Sequence, residues 1–220
     1  MKPVLAFCAV AALTGGCARV TVSVNAFADP SAPAALRYVV LPADEAIRTD
    51  DLEFREYAGY ARRALARQGF TEATSLDQAG LVVLMRYGMS EPRRVVTSVQ
   101  RPAFRHSWGF GYGFGYGRHG YFAEYDTLIE TRTVYSYSLQ LSAGDAETYR
   151  RRRELKELWR VTAEASDGRG DPRAIMPYLV VAAAPYAGRD TGRAVTVRLK
   201  RERETIAPLL PDGPKLNRKP

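Results

Sequence analysis

The sequence predicts an α+β fold, a single mixed, mainly antiparallel sheet in the order β-β-α-β-β-β-α-β with two helices packed on one face. Three observations carry this. Apolar and polar residues alternate in several separate runs, the period of a half-buried strand. Two other segments repeat their apolar residues every three or four positions, the period of an amphipathic helix. No segment repeats elsewhere in the chain, and strands following one another with only two helices among them favour one sheet over alternating βα units.

The elements follow in order. Val20, Val22 and Val24 alternate with Arg19, Thr21, Ser23 and Asn25, giving a first strand that begins almost at Cys17. A spacer with Pro30 and Pro33 leads to RYVVLP, Arg37 to Pro42, a second strand stopped by proline. Asp50-Asp51-Leu52-Glu53 is a capping-box pattern opening a helix. On that helix Phe54, Tyr57, Ala58, Ala61, Ala64 and Leu65 form one stripe, and Gly69 closes it. The continuous apolar run Leu81 to Met85 reads as a central strand, and Arg93 to Arg101 extends it as an exposed arm. Ile129 to Leu141 places every second residue on one face of a long strand; after a turn at Gly144-Asp145 and a charged run to Glu157, Trp159 to Ala165 alternates again. Asp171-Pro172 is a helix start, with Pro177 inside the helix expected to kink or restart it and Gly188 just past its end. Val195, Val197 and Leu199 mark a last strand, and residues 206–220 are expected to form a flexible tail.

The N-terminus directs the chain out of the cytoplasm. MKPVLAFCAVAALTGGC has one lysine, an apolar stretch from Val4 to Leu13 and small residues before Cys17. That stretch has about half of the roughly twenty residues a bilayer span needs, so it reads as a secretory signal. Leu13-Thr14-Gly15-Gly16-Cys17 resembles the bacterial lipobox, with leucine one place further from the cysteine than usual. On this reading residues 1–16 are removed, Cys17 carries palmitate-type acyl chains and residues 17–205 form one domain. The competing site is Ala26-Phe27-Ala28, an A-x-A pattern that would release a soluble periplasmic enzyme or binding protein beginning at Asp29; it lies far beyond the apolar core, within residues that alternate like a strand.

Composition limits the chemistry. Of two cysteines, Cys8 leaves with the signal and Cys17 is acylated, so the mature chain keeps no free thiol for a disulfide, metal or redox centre. The formal charge of +8 suits either contact with anionic phospholipid and cell-wall polymer or simple solubility. Nucleic acid is not an expected partner of an exported protein. Arg150, Arg151, Arg152 and Arg153 form the strongest basic cluster, a candidate contact to an anionic surface or a solvated hairpin end balanced by Glu147, Glu154 and Glu157.

Between the third and fourth strands lies SWGFGYGFGYGRHGYF, Ser107 to Phe122. Trp108, Phe110, Tyr112, Phe114 and Tyr116 alternate with glycines; in an extended chain the rings share one side. Ordering so much glycine costs roughly 1 kcal/mol more per residue than alanine, so the rings suit a contact loop against an envelope component, a cover over the domain's own sheet, or a low-complexity segment. His106 and His119 flank this run, with Glu124 and Asp126 beyond, at spacings that match no standard metal site. There is no G-x-S-x-G elbow and no mature thiol, so neither catalytic residues, metal nor cofactor are expected.

The Cys17 lipobox followed at once by RVTVSV, the element ending RRALARQGF, the AGLVVLMRYG strand, the Gly-aromatic insert, ELWRVTAEA and MPYLVVAAAPY together resemble the bacterial lipoprotein family catalogued as domain of unknown function four-one-three-six. The resemblance covers residues 17–205 and brings no catalytic motif. It implies an envelope lipoprotein of the outer membrane with no assigned activity. Together with the residues, the expectation is a non-enzymatic protein, lipid-anchored in the outer membrane through its acyl chains and facing the periplasm, with an envelope protein or cell-wall polymer as partner. Ala18 after the acylated cysteine agrees with that destination.

Overall fold

The computed structural model describes residues 18–31, 37–103 and 124–210. Residues 1–16, expected to be a signal, Cys17, the insert 107–122 with its five alternating aromatics, His106, His119 and the end of the expected tail, 211–220, lie outside the described residues. The strands are β1 (Arg19–Ala28), β2 (Arg37–Pro42), β3 (Thr71–Glu72), β4 (Leu81–Met89), β5 (Arg93–Ala103), β6 (Glu124–Asp145), β7 (Glu157–Asp167) and β8 (Val195–Lys200). The helices are α1 (Leu52–Arg67), α2 (Ala146–Arg152), α3 (Pro172–Ala183) and α4 (Arg203–Ile206).

One open sheet runs in the order β3-β2-β4-β6-β7-β1-β8, with β5 paired to β6 beyond it. β2 is parallel to β3 and β4, as a crossover through α1 requires, and the remaining pairs are antiparallel. The alternation read from sequence decides which side is buried. Val20, Val22, Val24 and Ala26 of β1, Tyr137, Leu139 and Leu141 of β6, and Trp159, Val161 and Ala163 of β7 all belong to the core. Against them α1 buries Phe54, Tyr57, Ala58, Ala61, Ala64 and Leu65, the expected stripe, with Tyr60 added to it. α3 buries Ile175, Met176, Tyr178, Leu179 and Val180 on the same face. The small alanines of α1 let the helix lie close to the sheet.

Cap chemistry sets the helix ends. α1 closes on Gly69 at φ 89°, with Gly69 N donating to the Ala66 carbonyl and Phe70 N to the Leu65 carbonyl, the Schellman pattern in which glycine takes the left-handed position at no steric cost. Its start differs from the expected capping box. Asp51 is the N-cap and its carbonyl accepts from Arg55 N at 2.9 Å, but its side chain accepts no hydrogen bond from the helix; the carboxylate accepts instead from Arg48 N at 2.8 Å, bracing the preceding turn. α3 opens as expected, Asp171 accepting from Ala174 N with Pro172 in the first turn, and runs unbroken through Pro177 to a 3₁₀ turn, Ala184–Tyr186.

The expected element order is incomplete. Among the described residues there are eight strands where six were expected: one addition is the two-residue β3, and the other is β5, separate because β6 is 22 residues long and serves two ladders, its second half pairing with β4 and β7 and its first half with β5. Between Met89↔Tyr137 and Arg93↔Val134 four steps on one side meet three on the other, a bulge that falls on Ser90, Glu91 and Pro92. The arm read at Arg93 to Arg101 is therefore half of a hairpin ribbon projecting past the sheet. Among the described residues there are four helices where two were expected, and they do not all share one face. α2 and the 3₁₀ turn Leu76–Gln78 cover one corner of the opposite face, where Val82 is buried. The residues from 206 do not begin a free tail, since Ala207–Leu209 form a 3₁₀ turn that buries Leu209 beside α1.

Candidate functional site

Away from that corner, no helix among the described residues covers the face opposite α1 and α3, and the registers show what it displays. One row crosses five strands: Gly88 of β4 pairs with Ser138, Ser138 with Glu164, Glu164 with Ser23, and Ser23 with Thr196. The next row holds Arg86, Gln140, Thr162 and Asn25, and the one beyond it Leu84, Ser142, Arg160 and Phe27. The result is a polar surface of small hydroxyls and amides with one carboxylate, Glu164, near its centre.

Short side chains between twisted strands leave a shallow trough. Its larger part, ≈ 730 Å³, is bounded by Thr21, Ser23, Met89, Ser138, Glu164 and Ser166. A second depression of ≈ 370 Å³ continues it past Asn25, Gln140 and Thr162 to Phe27 and Arg160. The surface is partly self-satisfied: Gln140 Nε2 donates to Ser142 Oγ at 3.0 Å, the hydroxyls of Ser136 and Ser166 meet at 3.4 Å, and the Arg160 guanidinium lies 5.5 Å from the centre of the Phe27 ring. What remains is a set of hydroxyl donors and acceptors around Glu164, a surface able to hydrogen-bond a polar partner laid across the strands. Among the described residues no three of His, Cys, Asp and Glu gather as metal ligands would.

The basic cluster lies elsewhere. Arg150, Arg151 and Arg152 end α2, and Arg153 follows in the left-handed conformation at φ 58°. Arg150 pairs with Asp77 at 3.0 Å, Arg151 with Glu147, and the Arg153 guanidinium lies 5.9 Å from the centre of the Tyr149 ring. This cluster stands where β6 ends, at the Ala28 end of β1, about 30 Å from Ala18 by the rise of a ten-residue strand. The aromatics Trp108, Phe110, Tyr112, Phe114 and Tyr116 lie outside the described residues, but the paired ribbon that carries them is described up to Ala103↔Glu124.

The trough was not singled out from sequence. Its residues were visible as the polar members of each alternating run, but which run lies beside which is set by pairing across more than a hundred residues.

No curated protein matches the chain. Among solved structures it is similar to a PDZ domain protein from Parabacteroides distasonis, at 12% identity and a TM-score of 0.42. That likeness covers 83% of this chain, which spans only 39% of the other. A family match reaches from Asn25, inside β1, to Ala183, the last residue of α3, and so takes in the sheet from β1 to β7 and both core helices. On that match, over residues 25–183, the chain belongs to the family described as Domain of unknown function (DUF4136).

Proposed function

We propose that this protein is a non-enzymatic envelope lipoprotein, held by acyl chains on Cys17 at the periplasmic face of the outer membrane, that presents its open polar sheet face to an envelope component. The observation that carries this reading is the position of β1. It begins at Arg19, two residues after the candidate acylated cysteine, and is hydrogen-bonded on both edges, to β7 and to β8. Val20, Val22, Val24 and Ala26 are each at most 5% exposed. Cleavage after Ala28 would remove this inner strand and four core side chains, so release of a soluble protein beginning at Asp29 conflicts with the fold. Cleavage before Cys17 leaves the domain whole and its first strand next to the anchor. Stable anchoring needs two or three acyl chains, because one contributes only about 0.8 kcal/mol per buried CH₂ and binds reversibly.

Metabolic labelling with a fatty acid, wild type against Cys17→Ser, tests the reading. Label is expected on the wild type alone. Equal labelling of both, or a mature protein that begins at Asp29, overturns it in favour of the soluble periplasmic alternative.

A further inference from the structure

The end of the sheet at which Ala18 lies gathers cations that the fold does not use. The Ala18 carbonyl accepts from Arg201 N at 2.8 Å, so the start of β1 and the end of β8 are held side by side. There Arg19 stands opposite Lys200, and Thr21 opposite Arg198. Val197 and Leu199 pack toward the core, which turns Arg198 and Lys200 to the open face. Like charges directly opposite one another destabilise a sheet. Among the described residues, none of these three cations forms an ion pair.

Round the same end, Arg203 opens α4 and lines a depression of ≈ 470 Å³ with Arg55, Arg63 and Arg173. Two of these are engaged: Arg173 pairs with Glu56 at 2.7 Å, and Arg63 Nη1 donates to the Leu209 carbonyl at 2.7 Å. Arg55 and Arg203 are exposed and have no ion pair among the described residues. Helices α1 and α3 both start at this end, α1 after β2 has run toward Met85 and α3 just past Asp167, so their N-termini add partial positive charge. At the far end Arg150, Arg151 and Arg160 are each paired with an acid, while the exposed Arg152 and Arg153 have no ion pair among the described residues and so serve as a charge control.

We propose that the Ala18 end of the domain is a binding site for anionic phospholipid headgroups, with phosphates seated between Arg55 and Arg203 and further headgroups met by Arg19, Arg198 and Lys200. The occupant follows from position and spread. This inference rests on the acyl anchor, which fixes the membrane one peptide bond from Ala18. Cations distributed over a strand pair, two helices and the flank between them match a layer of phosphates better than a single soluble anion. The ribbon of β5 and β6 leaves from this end as well, and Arg93 and Arg94 at its root add to the same charge.

The test uses the full chain carrying Cys17→Ser, which cannot be acylated, floated with vesicles of phosphatidylcholine or of phosphatidylcholine mixed with phosphatidylglycerol. The apolar stretch Val4 to Leu13 contributes equally in both arms. Binding is expected to the anionic vesicles only and to fall with salt. Adding Arg55→Gln and Arg203→Gln together should weaken it roughly thirtyfold, about fivefold for each cation removed near an anionic surface. Arg152→Gln with Arg153→Gln, at the far end, should leave it unchanged, and all variants should keep the parent's thermal transition. Equal binding to both vesicles, no loss in the Arg55 and Arg203 variant, or an equal loss in the far-end variant overturns the proposal. So does release by free glycerol phosphate at millimolar concentration, which would mark a soluble-anion site. Fatty-acid labelling of the wild type reads the anchor separately: selective vesicle binding without label sinks the anchor and leaves the headgroup site, and label without selectivity does the reverse.

Discussion

Asp167 and Arg201 meet in two parallel hydrogen bonds of 3.1 Å, with side chains 19% and 15% exposed, and so tie the end of β7 to the residue after β8. The Arg201 hydrogen bonds hold the Asp167 carboxyl below its ordinary value of 3.8. A carboxyl depressed in the folded state contributes stability that is complete above its unfolded value and lost as pH falls through the folded one. Asp167→Asn should therefore cost about 2 kcal/mol at neutral pH and flatten the acid limb of the stability profile, read from urea unfolding across acid pH. The tyrosines act at the other extreme. Burial pushes the Tyr38 and Tyr60 hydroxyls up from 10.0 to about 12. A raised group contributes stability that is complete below its unfolded value, so the protein should lose stability as pH rises from 10 to about 12. Tyr38→Phe should remove part of that alkaline loss, followed by circular dichroism; an unchanged alkaline limb would exclude Tyr38 as a source.

Each element was as legible as its periodicity was long. The α1 stripe, the Asp171-Pro172 start and the alternation in β1, β6, β7 and β8 were clear because burial on one face imposes a period on the residues themselves. α2 was not, since seven residues hold too few turns to show a stripe and its arginines read as part of a solvated run. The signal that marked it was Asp145, taken for a turn residue, whose carboxylate caps the helix by accepting from Thr148 N at 2.7 Å. β5 carries alternation without burial; Val96 at 64% exposure and, on the other strand of the ribbon, Ile129 at 69% opposite Ser98 gain little from their hydrophobicity. β1 gives the sharpest prediction at this scale. A chain beginning at Asp29 should show no cooperative unfolding transition, because its sheet would have to close a gap between β7 and β8. A sharp calorimetric transition matching that of the chain from Ala18 would contradict the assignment of β1 as an inner strand.

For the whole molecule, sequence conveyed the class and the buried face but not the neighbour relations, and the candidate surfaces depend on those. Glu164 lies among hydroxyls only because β6, β7 and β1 lie side by side, and Arg203 joins Arg55 only because the chain returns past β8 to α1. No local pattern encodes such juxtapositions, which arise from hydrophobic faces finding a common core.

The placement of β1 between β7 and β8 also sets a timetable. The earliest strand to emerge during synthesis can complete its hydrogen bonding only when residues 157–167 and 195–200 have followed it. Until then Val20, Val22 and Val24 have no permanent partners, and such remote pairing closes slowly. A nascent molecule thus remains open at that seam until nearly all of it has been made, dependent meanwhile on whatever shields exposed strands.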